Sequence, residues 1–296
     1  MDKVRHTMTI KTNSTNDRDI DKIDDQRNHN NSCRVCGYIT TEWTHLRMAS
    51  KYFYCNHCEF ISKDETMRVT PDQAFNIYNT HKNDIDDQRY VSNLHKFLKE
   101  AVFPYSNGLK NGFDFGSGPD PVLSQLLTRD YGYEMDIYDL YYAPDRINFG
   151  KKYDLVTSTE VAEHIPDPLN YFRQLKSLLT DTGTLAIITQ FHQNNSLHFS
   201  DWHYVRDKSH ISFYTEKTMK TIAQKVGLKV VFTNRTQYAT FVKDIRIEPV
   251  KVVEQIAAQD VEQVTEQAYE QVNEPNTEHV PDGYNEEKEN DETENI

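Results

Sequence analysis

The chain has four cysteines, in two pairs, Cys33-x2-Cys36 and Cys55-x2-Cys58, with 18 residues between the pairs. That spacing matches a four-thiolate zinc site. Zinc favours tetrahedral soft ligands, and each Cys-x2-Cys turn presents two thiolates on one knuckle. Gly37 follows the first pair, where the chain must turn back, and Lys51–Tyr54 reads as a strand feeding the second. Four thiolates leave no open coordination position, so the expected role is structural. Two disulfides are the competing arrangement, and an intracellular chain disfavours them. His45 and His57 can substitute as ligands, but nothing in the spacing requires them.

A second constellation begins at Phe113-Asp114-Phe115-Gly116-Ser117-Gly118-Pro119. Small residues between a strand and a helix let a ligand approach the backbone, and a helix N-terminus offers free N–H groups. By itself a G-x-G is equally a plain tight turn. Asp136 and Asp139 follow about 20 residues on, where a carboxylate can accept from ribose hydroxyls. Farther along, His164 lies just after a strand, and Phe191–Tyr214 carries His192, His198, His203 and His210 among six aromatics.

These residues need a frame. Strands are expected at Gly112–Phe115, Tyr133–Tyr138, Tyr153–Ser158, Thr184–Thr189, Lys229–Thr233 and Ala239–Val242. Apolar residues at helical spacing lie between them: Val122/Leu123/Leu126/Leu127, Leu169/Phe172/Leu175/Leu178/Leu179 and Met219/Ile222/Ala223/Val226, the last capped by Gly227. The alternation implies an α/β fold, a mostly parallel sheet with helices on both faces and an antiparallel hairpin at one edge. Ligands in such sheets bind above the carboxyl ends of the strands. Ahead of this frame, Val91, Leu94, Leu98 and Ala101 mark a helix that Pro104 ends.

Hydrophobic content of 37% is low for a globular chain, because polar ends dilute it. From Glu248 onward there are 15 acidic and 2 basic residues, which accounts for the whole net charge of −13 and leaves 31 of each sign before it. A neutral body gives no support for nonspecific DNA binding, which needs a clustered basic face. No stretch approaches the roughly 20 apolar residues of a membrane span, and MDKVRHTMTIKTNSTNDRD has no apolar signal-peptide core. A cytoplasmic protein without membrane contact is expected. Residues 1–32 are expected to be disordered for want of apolar surface. In the acidic tail, residues 248–296, an amphipathic helix over 250–273 precedes a disordered end, and the tail is a possible protein-partner site.

Here the motifs acquire a family likeness. DFGSGP, then YDLVTSTEVAEHIPDPLNYFRQLKSLLTDTGTLAIIT, then Trp202-His203-Tyr204-Val205-Arg206-Asp207-Lys208-Ser209-His210-Ile211-Ser212-Phe213-Tyr214 resemble the class I S-adenosylmethionine-dependent methyltransferases, in a branch with D-x-G-x-G-P, E-V-x-E-H and W-x-Y-x-R-D-x-x-H-x-x-F-Y motifs. The resemblance covers about residues 105–245, and an N-terminal four-cysteine zinc module is known in related enzymes. It implies a Rossmann-like domain over 105–247, preceded by a zinc-ribbon-like module over 33–70 and a helical linker over 71–104. It assigns Asp114, Gly116 and Gly118 to the methionine part of S-adenosyl-L-methionine, Asp139 to the ribose, and Glu160 to the cofactor near the transferred methyl. Asp136, inside its strand, can equally face a helix. Tyr153–Ser158 corresponds to the family's fourth strand, with no clear third. The frequent third glycine of the turn is missing: Pro119-Asp120-Pro121 follows Gly118, and Asp120 can equally cap a helix.

Methyl transfer from a sulfonium is an in-line displacement, for which the protein mainly positions the nucleophile and excludes water. A base serves only an acceptor that must lose a proton. His164, His203 and His210 are the candidates, each equally open to a packing or loop-orienting role. The aromatic segment reads as an acceptor-pocket wall, with loop packing as the competing role. The acceptor is expected to be a small molecule or saccharide. A nucleic-acid methyltransferase using the zinc module is the second enzyme class, but Arg34, Arg47, Lys51, Lys63 and Arg68 are interrupted by Glu42, Glu59, Asp64 and Glu65. A cofactor-binding scaffold whose acidic tail holds partners is the non-enzyme alternative.

Overall fold

The computed structural model describes residues 9–11, 32–80, 83–145 and 150–244. All of them lie in one unit spanning Met1–Ile245; a second unit, Arg246–Ile296, holds the whole acidic tail, and the tail's expected helix lies outside the described residues.

The N-terminal part is a sheet of β1 (Thr9–Lys11), β2 (Thr41–His45), β3 (Ser50–Tyr54) and β4 (Ile61–Lys63), all antiparallel neighbours. Of residues 1–32, expected to be disordered, those described are β1, paired at the edge of β2, and Ser32; the rest lie outside the described residues. Each cysteine pair sits in a turn closed by main-chain bonds, Gly37 N–H to Cys33 and Glu59 N–H to Cys55, both 2.8 Å. Gly37 (φ 84°) and Glu59 (φ 65°) fill the same left-handed position after the second cysteine of each pair.

Two helices follow. α1 (Pro71–Tyr78) starts at a Thr70/Gln73 capping box with proline in its first turn. α2 (Gln88–Phe97) is capped by Asp87 and runs into a π-helical turn, Leu98–Val102. Then come β5 (Asn111–Phe115), α3 (Val122–Tyr131), β6 (Glu134–Tyr138), β7 (Tyr153–Thr159), α4 (Pro168–Leu178), β8 (Leu179–Ile188), α5 (Ser196–Asp201), β9 (Ser212–Phe213), α6 (Glu216–Val226), β10 (Leu228–Thr233) and β11 (Tyr238–Lys243). The order across the central sheet is β10-β11-β8-β7-β5-β6, parallel from β8 to β6, with β10 and β11 antiparallel at one edge as expected. Among the described residues β6 is the other edge, and no counterpart of the family's third strand lies beyond it.

Strand alternation distributes the core between the two faces. Val156, Leu185 and Ile187 pack with Tyr171, Phe172 and Leu175 of α4 and Met219, Ile222 and Val226 of α6. Leu155, Ala186 and Ile188 pack with Leu123, Leu126 and Leu127 of α3 and with Leu94, Phe97, Leu98 and Ala101. The last group lies in the helical segment expected over 71–104. Leu94, Phe97, Leu98, Ala101 and Val102 form one helical stripe, wholly buried, that covers a sheet face.

A further difference concerns the N-terminal sheet. Its fifth strand is β9, from the far side of the chain: Ile61 pairs with Phe213 and Ser62 with Ser212. Trp43, Tyr52 and Ile61 share a core with Phe199, Tyr204, Val205 and Phe213. The buried Lys63 ammonium donates to the Lys208 carbonyl at 2.8 Å. The cysteine module and the segment after β8 therefore fold as one body.

Candidate active site

The glycine turn closes β5 at its carboxyl end. Gly116 (φ 79°) and Gly118 (φ 72°) adopt left-handed backbone. The Gly116 and Ser117 N–H groups donate to the Tyr138 carbonyl at 2.7 and 3.1 Å, and Gly118 N–H donates to Asp139 Oδ2 at 3.0 Å. Oδ1 of Asp139 accepts from Tyr141 and Tyr142 N–H. The carboxylate expected at the ribose thus latches the turn to the end of β6. A Cβ on Gly118 would meet Asn83 Nδ2 in ordinary van der Waals contact at 3.7 Å, so the turn is not crowded there. Beside it, the Ser117 hydroxyl is buried with no hydrogen-bond partner.

Asp114 lies beneath the turn, buried, accepting from the Thr157 hydroxyl at 2.7 Å and the Ser124 hydroxyl at 3.3 Å. Burial pushes its carboxyl up to about 6, against the pull of both hydroxyls. Asp136 is tied to Lys151 and to the Tyr153 hydroxyl, both 2.7 Å, and Asp120 accepts from the Gln125 side chain rather than capping α3.

Over the turn lies α1. Phe75 and Tyr78 contact Tyr141 at ring distances of 5.0 and 5.7 Å, the Tyr142 hydroxyl donates to Asn79 Oδ1 at 2.6 Å, and Tyr78 meets the His164 ring edge-on at 4.9 Å. This helix, expected as linker, spans from the β6 loop to the histidines; Phe75 and Tyr78, one helical turn apart, were the available signal.

Glu160 ends β7 with φ 54°, a conformation costly for a non-glycine residue and concentrated at functional sites. The residue as a whole is exposed, but its carboxylate is crowded by protein and accepts the Tyr204 hydroxyl at 3.2 Å. Desolvation by the surrounding protein, with the Glu163 carboxyl beside it, pushes Glu160 above the usual glutamate range. Glu163, one turn on, is wholly buried. His164 and His210 close around it, with ring centroids 4.8 Å apart, and one ligand atom each of Glu163, His164 and His210 lies within 4.8 Å of the others. Nδ1 of His164 contacts the Ser209 carbonyl at 3.2 Å, and Nδ1 of His210 contacts the Tyr204 carbonyl at 2.7 Å. Burial holds the His210 ring below the usual histidine range. His203 is exposed and outside this group.

The aromatic segment mostly packs. Phe199, Phe213 and Tyr214 are fully buried, and His192 bonds the Glu59 carbonyl at 2.8 Å, its ring pushed down to about 4 by burial. A hollow of about 460 Å³ beside it, lined by Phe191 and Lys217 among others, contains none of the turn residues. Its cations are matched by Glu59 and Glu216, so it makes no net demand for an anion.

The four cysteines lie together. Sγ–Sγ distances are 3.5 Å for Cys33–Cys58 and 3.4 Å for Cys36–Cys55, and all four sulfurs fall within 4.8 Å of one another. Tetrahedral zinc thiolates with bonds of about 2.3 Å place sulfurs about 3.8 Å apart, so the cluster fits that ion. The module's cations are engaged locally: Arg34 with Glu65 at 2.7 Å, Arg68 with Glu65 at 3.4 Å and Lys51 with Glu42 at 3.6 Å.

No helix among the described residues is long and apolar enough to cross a membrane. No curated protein sequence matches the chain. Among solved structures it is similar to the mitomycin 7-O-methyltransferase MmcR (11% identity, 57% of this chain and 60% of that chain, TM-score 0.41). It is also similar to an O-methyltransferase family protein from Burkholderia thailandensis (17% identity, 54% and 58%, TM-score 0.42) and to CalO1, a methyltransferase in calicheamicin biosynthesis, in its SAH-bound form (10% identity, 52% and 55%, TM-score 0.38). The chain spans less than two thirds of the length of each of these three. The family model for a methyltransferase domain matches residues 84–232, from the start of the buried α2 stripe to the β10 edge, and by that match over half its length the chain belongs to the methyltransferase-domain family.

Proposed function

We propose that the chain is an S-adenosylmethionine-dependent methyltransferase acting on a small molecule or saccharide, with zinc held by Cys33, Cys36, Cys55 and Cys58. The observation that carries the cofactor assignment is the glycine turn itself. The Ser117 hydroxyl is buried without a partner, beside the uncrowded left-handed Gly118, above the carboxyl edge of a parallel sheet. When bound, the cofactor supplies an electrophilic methyl whose C–S bond breaks as the acceptor forms its new bond. Gly116, Ser117 and Gly118 bound the methionine end, while Asp114 and Asp139 hold the turn's shape from below and beside it. Glu160 faces the cleft at the end of the next strand, positioned by Tyr204. His164 and His210 stand beyond it; burial keeps the His210 ring uncharged near neutral pH, so it offers a lone pair to a hydroxyl of the acceptor. The engaged cations of the cysteine module weigh against a nucleic-acid substrate.

The test is calorimetric titration with S-adenosylhomocysteine on protein of known zinc content. One-site binding, lost in Ser117→Val and Gly118→Val with folding intact, is expected. Absence of binding to folded, zinc-loaded protein would overturn the proposal.

A further inference from the structure

We propose that Lys63, on the last strand of the cysteine module, is a positioning residue for His210. Its ammonium clamps the turn Asp207–His210 and offsets the Asp207 carboxylate, so that the His210 ring keeps its lone pair for the acceptor. The role in transfer rests on the methyltransferase reading, but the clamp stands on its own geometry.

Lysine is almost never enclosed unless something answers its charge. Lys63 is 2% exposed, and its ammonium reaches the Lys208 carbonyl at 2.8 Å. The backbone joins the same segments, since Lys63 N–H donates to the Ile211 carbonyl at 2.9 Å. β4 therefore grips the chain on both sides of His210, at Lys208 and at Ile211. The module reaches the facing turn as well, where Arg34 Nη1 donates to the Pro166 carbonyl at 3.1 Å.

Asp207 is the group to be offset. Its Oδ1 accepts from the Ser209 N–H at 2.8 Å and the Ser209 hydroxyl at 2.5 Å, and its Oδ2 lies 3.8 Å from His210 Nε2. Nδ1 of His210 meets the Tyr204 carbonyl at 2.7 Å, a contact that only an N–H satisfies, so Nε2 carries the lone pair. A carboxylate so close draws a proton onto Nε2. Burial opposes that proton most strongly and the His164 ring adds to it, while Glu163, Asp207 and the Tyr204 carbonyl favour it. Around Lys63, Asp207 favours the charged ammonium, and burial, Lys208 and Arg68 oppose it. Tyr78 of α1 also faces Asp207. One enclosed cation thus answers the carboxylate that would otherwise form an ion pair with the ring.

The test is a pH titration of the His210 ring by nuclear magnetic resonance, on full-length zinc-loaded protein carrying labelled histidine. The His210 signal is identified by its loss in His210→Gln, and melts and S-adenosylhomocysteine binding are read on the same samples. Lys63→Met removes the ammonium at nearly constant volume, and Lys63→Gln removes the charge but keeps a donor. In both, the His210 pKa is expected to rise by about one unit, with S-adenosylhomocysteine binding retained. Adding Asp207→Asn, which keeps an acceptor for Ser209, is expected to return the value toward the parent's. An unchanged His210 pKa in either folded variant overturns the proposal, as does a rise that Asp207→Asn leaves in place. Failure of both Lys63 variants to fold makes Lys63 a folding residue and overturns the positioning role. The expected shifts in protein unable to bind S-adenosylhomocysteine support the clamp and remove the methyltransferase reading instead.

Discussion

The Tyr204 hydroxyl donates to Glu160 Oε2 at 3.2 Å, so the segment between β8 and β9 holds the carboxylate that ends β7. Tyr204→Phe keeps the buried ring and removes this bond together with the hydroxyl's contacts to the Thr189 hydroxyl at 3.3 Å and the Gln190 N–H at 3.4 Å. A stability loss of about 1–2 kcal/mol is expected in urea unfolding. A larger loss would mean that the hydroxyl organises more of the cleft than these contacts.

Gly116 meets Val161 across the cleft floor. A Cβ at Gly116 would lie 2.3 Å from Val161 Cγ2, on a backbone with φ 79°. Gly116→Ala therefore combines a clash with left-handed strain of about 1–2 kcal/mol. The variant is expected to lose S-adenosylhomocysteine binding. Adding Val161→Ala relieves only the clash, so partial recovery of the melting temperature in the double variant is the checkable outcome.

Asp114 gives a pH signature. Its carboxyl titrates near 3.8 when unfolded and about 6 in the fold, so between those values the folded state holds more protons. Its contribution to stability is full below about pH 4 and is lost as pH rises through about 6. Relative to Asp114→Asn, the parent protein should lose about 3 kcal/mol over that window. Parallel unfolding curves from pH 5 to 7.5 read the later part of the loss, and a difference that grows the other way would refute the assignment.

With zinc held as proposed, its removal should be felt well beyond the cysteines. Cys33, Cys55 and Cys58 belong to the same buried cluster as Phe172, Tyr214 and Met219. Chelation or Cys55→Ser is expected to cost several kcal/mol and to lower the single melting transition of the whole fold. Trp43 and Trp202, the chain's two tryptophans, both pack in the core shared with β9, so their fluorescence reports that change directly.

Much of the frame was legible because local pattern and tertiary role agree. The six strands of the central sheet fall where apolar runs alternate with amphipathic helices, and Gly227 ends α6 in left-handed backbone, as its position foretold. The stripe Leu94, Leu98, Ala101 was visible, but periodicity tells that a face is buried and not what buries it. Ser212–Phe213 carries no strand signal, since two residues have no period and their partner lies at Ile61–Ser62. At the site, Gly116 and Gly118 could be read from backbone need, whereas the bond from Gly118 N–H to Asp139 joins residues 21 apart and leaves no local pattern. Glu163 was hidden in E-V-A-E-H because sequence does not show which of two nearby carboxylates is exposed and which is enclosed. The available signal was its position three residues after Glu160 and directly before His164.

The pairing of β4 with β9 also sets an order of events during synthesis. The cysteine knuckles leave the ribosome first, but the strand that completes their sheet arrives about 150 residues later. Closing so long a loop is slow compared with local pairing. Until it closes, the β4 edge stands open, and that exposed edge marks the interval in which a nascent chain is most prone to pair with another.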